Sequence, residues 1–349
     1  MFRGNFRNLT NFYNKKMVNL FQGKTSDPKL KKNMTTDVYS DKSNMTIWAT
    51  LIYFVLILTY FGVIVMVHFV DYAALSKVQE HIKPVMDIFN SQMTKVYYLP
   101  AGLLLISTIS LYWLSPKDFP RWTIFASIIL AIISVGTTFF VIAPILSNLT
   151  QTGLTETVEE HLLPISTNFQ IIPATMQVML TLYLLNIYFK NTKVFSRLLF
   201  ILFFGLLFYS VGPSLVEGRN YAFWGAVGEK DWLSFRHSGS PERFFGLFLI
   251  PSILPMFLSI LLFWWRPKGF PKSFVVIFLL TQIGITIGTA TYFVPKLQLP
   301  LDKAFSESLI SDLNKYNFIG REIIFYLGLI TIAWAFLKIG QFKRTEQAN

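Results

Sequence analysis

Trp113-Leu-Ser-Pro116-Lys-Asp-Phe119-Pro120-Arg121 recurs 151 residues later as Trp264-Trp-Arg-Pro267-Lys-Gly-Phe270-Pro271-Lys272. Outward from this pair, at the same offset, Pro100 aligns with Pro251, Thr138 with Thr289 and Pro144 with Pro295. No gap is needed across the 45 residues from Pro100 to Pro144. A period of this kind is read before local patterns, because it says how often one structural unit is used. Here it predicts a unit built twice.

The unit belongs in lipid. Of 349 residues, 53% are hydrophobic and only 14% charged, with 35 Phe and a mean hydropathy of +0.47. A soluble surface needs more charge than this. Eight apolar stretches, near 47–70, 97–114, 122–144, 166–189, 198–216, 245–265, 273–294 and 320–340, reach the ~20 residues that cross a bilayer. They are expected to be helices, since hydrocarbon offers no partner to an open backbone. No Lys, Arg, Asp or Glu falls in the middle of one. The expected fold is therefore all-α and polytopic, with a basic tail (1–46), four-helix modules at 47–190 and 191–340, and a short tail (341–349).

Charge sets the expected orientation. The N-terminal tail, the loops 115–121, 189–197 and 265–272 and the C-terminal end hold 20 Lys/Arg against 5 acids. The opposite loops hold 11 against 14. The positive-inside rule places both termini on the cytoplasmic side or its equivalent, in a bacterial inner membrane or an organellar one. Modules with an even helix count then share one orientation and form a parallel repeat. The formal charge of +12 is explained by orientation and by anionic lipid at the basic tail, without nucleic acid. With no cysteine, disulfides, thiolate metal sites and Cys nucleophiles are excluded.

In the tail, Phe2, Phe6, Leu9, Tyr13, Met17 and Leu20 keep spacings of 3 and 4 among Arg3, Arg7, Lys15 and Lys16. That pattern suits an interfacial helix, an organellar transit segment or, given its Asn content, a solvated tail. Short amphipathic helices are expected in the outer loops. Phe305, Leu309, Leu313 and Tyr316 form one stripe, with Asp302 available as N-cap. Leu154, Val158 and Leu162 form another, and Ala74, Val78, Ile82 and Val85 a third that extends the first helix to a kink at Pro84.

No phosphate loop, dinucleotide fingerprint, HExxH or pair of intramembrane histidines at haem or di-iron spacing occurs. No metal and no particular cofactor is implied. All four histidines, His68, His81, His161 and His237, lie at the outer side, where proton transfer or ligand binding would need polar groups. His68 with Asp71 is one such pair. Asn317-Phe-Ile-Gly-Arg321-Glu322 is the sharper signal: Asn317 and Arg321 stand four apart on one helical face at the entrance of the eighth span. The related stretch of the first module, Thr167-Asn168-Phe-Gln170-Ile-Ile-Pro173, has an Asn but no Arg. Lipid-facing snorkelling of Arg321 and capping by Asn317 are the plain alternatives.

The glycine-bearing helix from Gly205 to Pro213, the stretches Phe140-Val-Ile-Ala-Pro144 and Tyr292-Phe-Val-Pro295, and Asn317 followed by Arg321 resemble the small four-helix membrane family that includes the anthrone oxygenases. The resemblance implies a four-helix module, here in tandem over roughly 47–340, and some members are reported to act in oxygenation of aromatic polyketides. The first copy departs from the pattern in lacking the arginine. Three functions follow as expectations: a lipophilic-ligand protein, with or without oxidoreductase-like activity, whose polar site uses Asn317, Arg321, Glu322, Asn168, His68 and Asp71; an accessory subunit docking on other membrane subunits; or a transporter.

Overall fold

The computed structural model describes residues 28–149, 157–238 and 245–348, with residues 28–43 and most of those after 340 by backbone alone. The proposed amphipathic stripe from Phe2 to Leu20, and Leu154, lie outside the described residues. Residues 1–48 and 49–349 form separate compact units. In the first, the described residues, from Pro28 on, are helical.

The described residues hold helices and no strand. Eight helices are long and apolar enough to cross a membrane: α1 (Asn44–Leu75), α2 (Ile82–Leu114), α3 (Arg121–Asn148), α4 (Val158–Tyr188), α5 (Val194–Val227), α7 (Phe245–Leu262), α8 (Lys272–Leu301) and α9 (Glu307–Gly340). Between α5 and α7 lies the short α6 (Glu229–Ser238). Each overlaps an expected span, yet several are longer. At 1.5 Å per residue the 33 residues of α2 extend about 50 Å, well beyond a ~30 Å hydrocarbon layer. The surplus lies at the end carrying α6, called here the capped end.

Within the second unit α2, α3 and α4 pack in sequence, and α7, α8 and α9 do likewise while closing back on α5. At the crossing of α1 and α5 the backbones touch. A Cβ on Gly62 would lie 2.2 Å from the Tyr209 carbonyl, and one on Gly212 would lie 2.4 Å from the Thr59 carbonyl. Only hydrogen fits at either place, the small-residue contact that membrane helices use to approach closely. Thr59 adds a hydrogen bond from its hydroxyl to the Phe208 carbonyl.

Element boundaries recur with the sequence offset. The regular helical stretch Arg121–Thr137 is matched 151 residues on by Lys272–Gly288, and the turns before them are alike. Phe119 donates its N–H to Pro116 as Phe270 does to Pro267, and both phenylalanines are buried. Three wide π-helical turns also begin 151 residues apart: Thr94–Tyr98 and Phe245–Leu249, Thr138–Ile142 and Thr289–Gln298, Thr167–Ile171 and Phe318–Glu322. Prolines account for several of them. Pro100, Pro144, Pro173 and Pro251 each stand two residues beyond such a turn. A proline has no N–H to give and its ring crowds the carbonyl four residues back, so the preceding turn opens. Ile324 stands where the first half has Pro173, and the turn Phe318–Glu322 keeps its shape.

Two local expectations are corrected. Asp302 is not the N-cap of the outer helix: α9 starts at Glu307, Ser306 Oγ accepts the Leu309 N–H, and Asp302 is held by Arg236 instead. An ion pair with a neighbouring helix outweighs local capping at that position. The first helix does not run on to a kink at Pro84. It ends at Leu75, and α2 starts at Ile82 after His81 adopts a left-handed φ of 47°. Pro84 falls in the first turn of α2, where a missing N–H costs no helical bond.

Candidate functional site

The capped end gathers the polar side chains of the second half around Glu217 of α5. Glu217 is buried in a span, so its carboxylate needs donors. Tyr221, one turn on, donates its hydroxyl to Oε1 at 2.6 Å, and Gln298 of α8 donates to the same oxygen at 3.2 Å. Arg321 of α9 approaches Oε2 at 3.4 Å, while its guanidinium lies 4.3 Å from the centre of the Phe293 ring. Arg321 also donates to Asn317 Oδ1, and Asn317 in turn donates to Glu322 at 2.7 Å. Gly218 makes room for this: a Cβ there would sit 2.2 Å from Glu322 Oε1 and 2.9 Å from Asn317 Nδ2. Asn317 and Arg321, expected on one helical face, touch each other, with Glu322 bonded to Asn317, and Arg321 turns to Glu217 of α5.

Beside this cluster lies a cavity of about 460 Å³ between α1, α5, α6 and α8. Met66, Val70 and Ala74 of α1 and Phe223 and Phe235 opposite form apolar walls, while Asp71, Glu217, Asn220, Gln298 and Asp302 supply polar groups. Asp71 is 1% exposed. Its Oδ1 accepts from Asn220 at 2.7 Å, and its Oδ2 has no partner. The rim is fixed by the cap. Asp231 takes the backbone N–H groups of Gln79 and Glu80, each at 2.7 Å, and Trp232 donates to the Leu301 carbonyl. Arg236 pairs with Asp302 at 2.7 Å and lies over the Trp224 ring. Outside the cavity, the exposed pair Lys230–Glu80 raises the Lys230 ammonium above its ordinary range, chiefly through the Glu80 hydrogen bond.

The first half builds a different network at matching positions. Counting by 151 places Gln170, not Asn168, opposite Arg321, and Ser166 opposite Asn317. Gln170 is fully buried. It donates to Tyr97 at 2.5 Å and to Thr138 at 2.7 Å, and accepts from Ser166 at 2.9 Å. Tyr60 of α1 closes the network against Thr138 and Ser134. Every member is neutral.

Of the residues expected to form the site, Asn317, Arg321 and Glu322 come together, and Asp71 lines the adjoining cavity. His68 and Asp71 face different neighbours: His68 Nε2 lies 3.4 Å from Thr167 of α4, whereas Asp71 meets Asn220 of α5. Asn168 is exposed. Sequence reading assigned no role to Glu217, Tyr221, Asn220 or Gln298. One usable signal was a carboxylate immediately after the apolar stretch 198–216, since an ionisable group so close to a span is costly.

The fold defines an all-α polytopic membrane protein. Comparison of the chain with family models, curated proteins and solved structures finds no match.

Proposed function

We propose that this chain is a tandemly duplicated membrane protein that holds a small amphipathic ligand in the cavity at its capped end. The cavity carries the reading. Its volume falls within the ~300–1,000 Å³ usual for small-molecule sites, and it joins apolar walls to a few convergent polar groups. Ionisable residues inside membrane segments are costly and are retained mainly where they work. Asp71 and Glu217 are buried ionisable residues towards the capped ends of their helices, and Arg321 pairs with Glu217 there. The recurrence of helix starts and π-helical turns at 151 residues supports the duplication. The charge bias of the loops puts the cavity on the side opposite both termini.

Native mass spectrometry of the full chain, extracted in mild detergent, tests the binding function. A small amphiphile should be carried at about one per chain and be lost in Val70→Trp, which fills the cavity from α1. A chain that carries no such molecule, and whose melting is indifferent to added amphiphiles, overturns the reading. Orientation is tested separately, since the chain has no cysteine. Lys303→Cys should react with an impermeant maleimide from the outside of intact cells or vesicles and Lys117→Cys should not; the reverse overturns the orientation.

A further inference from the structure

We infer that the ligand carries a cationic ammonium-type head, and that Asp71 is the residue that receives it. This rests on the proposal that the cavity binds an amphiphile. Three carboxylates line the cavity: Asp71, Glu217 and Asp302. Two guanidiniums answer two of them. Arg321 takes Glu217 and Arg236 takes Asp302. Among the described residues no Lys or Arg pairs with Asp71, whose only hydrogen bond comes from the neutral amide of Asn220. Asp71 is among the residues that line the cavity, and its second oxygen is buried and has no partner.

A buried carboxylate lacking a cation either takes up a proton or keeps its desolvation penalty, and a positive group that donates a hydrogen bond relieves both. The rest of the cavity agrees. Both guanidiniums are already engaged, and the lining holds three carboxylates against them, with His237 as the further basic side chain, so an anionic head would meet more negative than positive charge. Phe223, Phe235 and Phe245 line the same space. Their ring faces favour a cation and their edges pack an alkyl body.

The test uses the full chain in an uncharged detergent with three probes of equal tail length: n-octylammonium, octanol and octanoate. Binding is read as a shift in melting temperature and as a change in tryptophan emission, because Trp224 lines the cavity. Octylammonium should bind at least about tenfold more tightly than either of the others, as a desolvated charge pair requires. Asp71→Asn should remove that preference and leave octanol binding in place. Ala74→Leu keeps the carboxylate but narrows the space beside it, and should weaken octylammonium without touching the charge. Equal binding of the three probes, a preference for octanoate, an ammonium preference that survives in Asp71→Asn, or octylammonium binding that Ala74→Leu does not weaken overturns the role of Asp71 and leaves the cavity as a binding site for another head. Failure of all three probes, together with absence of any co-purified amphiphile, overturns the binding function itself.

Discussion

Where the first half of the chain places Met66, Ser166 and Gln170, the second places Glu217, Asn317 and Arg321 at positions 151 residues later. The surrounding partners change in step. Tyr60 and Tyr97, which hold Gln170 through Thr138 and directly, have Val211 and Phe248 as counterparts. Val70, Ser147 and Ile142 become Tyr221, Gln298 and Phe293, which gather around Glu217 and Arg321. Around Gln170 the first half thus joins its buried polar groups by neutral hydrogen bonds, and around Glu217 the second uses an ion pair and charge-assisted ones. A neutral network carries no net demand for a ligand. The charged one adjoins a cavity with one carboxylate left over. The comparison teaches that the proposed site lies where the two halves stop being alike.

The largest effect should come from breaking the ion pair. Glu217→Ala leaves Arg321 with a buried, uncompensated charge, and such a loss costs about 3–5 kcal/mol. Unfolding in mixed micelles should show it. The sharper variant gives the second half its first-half residues: Glu217→Met with Arg321→Gln should recover most of that loss, because it removes both charges together. A double-mutant cycle that is additive would mean that the two residues are not coupled and would break the comparison. Next is the crossing of α1 and α5, where Gly212→Ala should cost about 1–3 kcal/mol by forcing backbones apart. Gly225→Ala, with nothing within 4 Å of its Cβ position, should be neutral or stabilising.

In the first half, Gln170→Ala strands Tyr97, Thr138 and Ser166 and should cost about 1–3 kcal/mol. Asn168→Ala, two residues away and exposed, should stay within about 0.5 kcal/mol. Equal effects at these two positions would contradict the pairing of Gln170 with Arg321. The smallest effect is expected for Lys230→Ala, whose pair with Glu80 is solvent-exposed; its melting temperature should not change measurably.

The helical spans were legible because lipid imposes a simple rule: about 20 apolar residues make one crossing, whatever lies next to it. The Trp113–Arg121 turn was legible for the same kind of reason, since proline and a buried phenylalanine constrain the chain locally. Asn317 and Arg321 stood out because helical spacing alone puts them on one face. Glu217 did not, because beyond Tyr221, one turn on, its partners Gln298 and Arg321 come from 81 and 104 positions away. Asn220 and Asp71 are 149 apart. The ends of the spans were misread where packing overrides local signals, as when Arg236 draws Asp302 away from the helix it could have capped.

Composition, period and loop charge by themselves therefore determined that this is a helical membrane protein with eight spans, and pointed to a unit used twice and to one end richer in acids. These properties depend on local hydropathy and on residue identity at a fixed interval. Only the tertiary structure decided that Arg321 answers Glu217 rather than the headgroups, and that Asp71 lines a cavity without a Lys or Arg to pair with it among the described residues. Those outcomes depend on how α1, α5, α8 and α9 meet, and the energy of a buried charge is set by the atoms around it rather than by its neighbours in the chain.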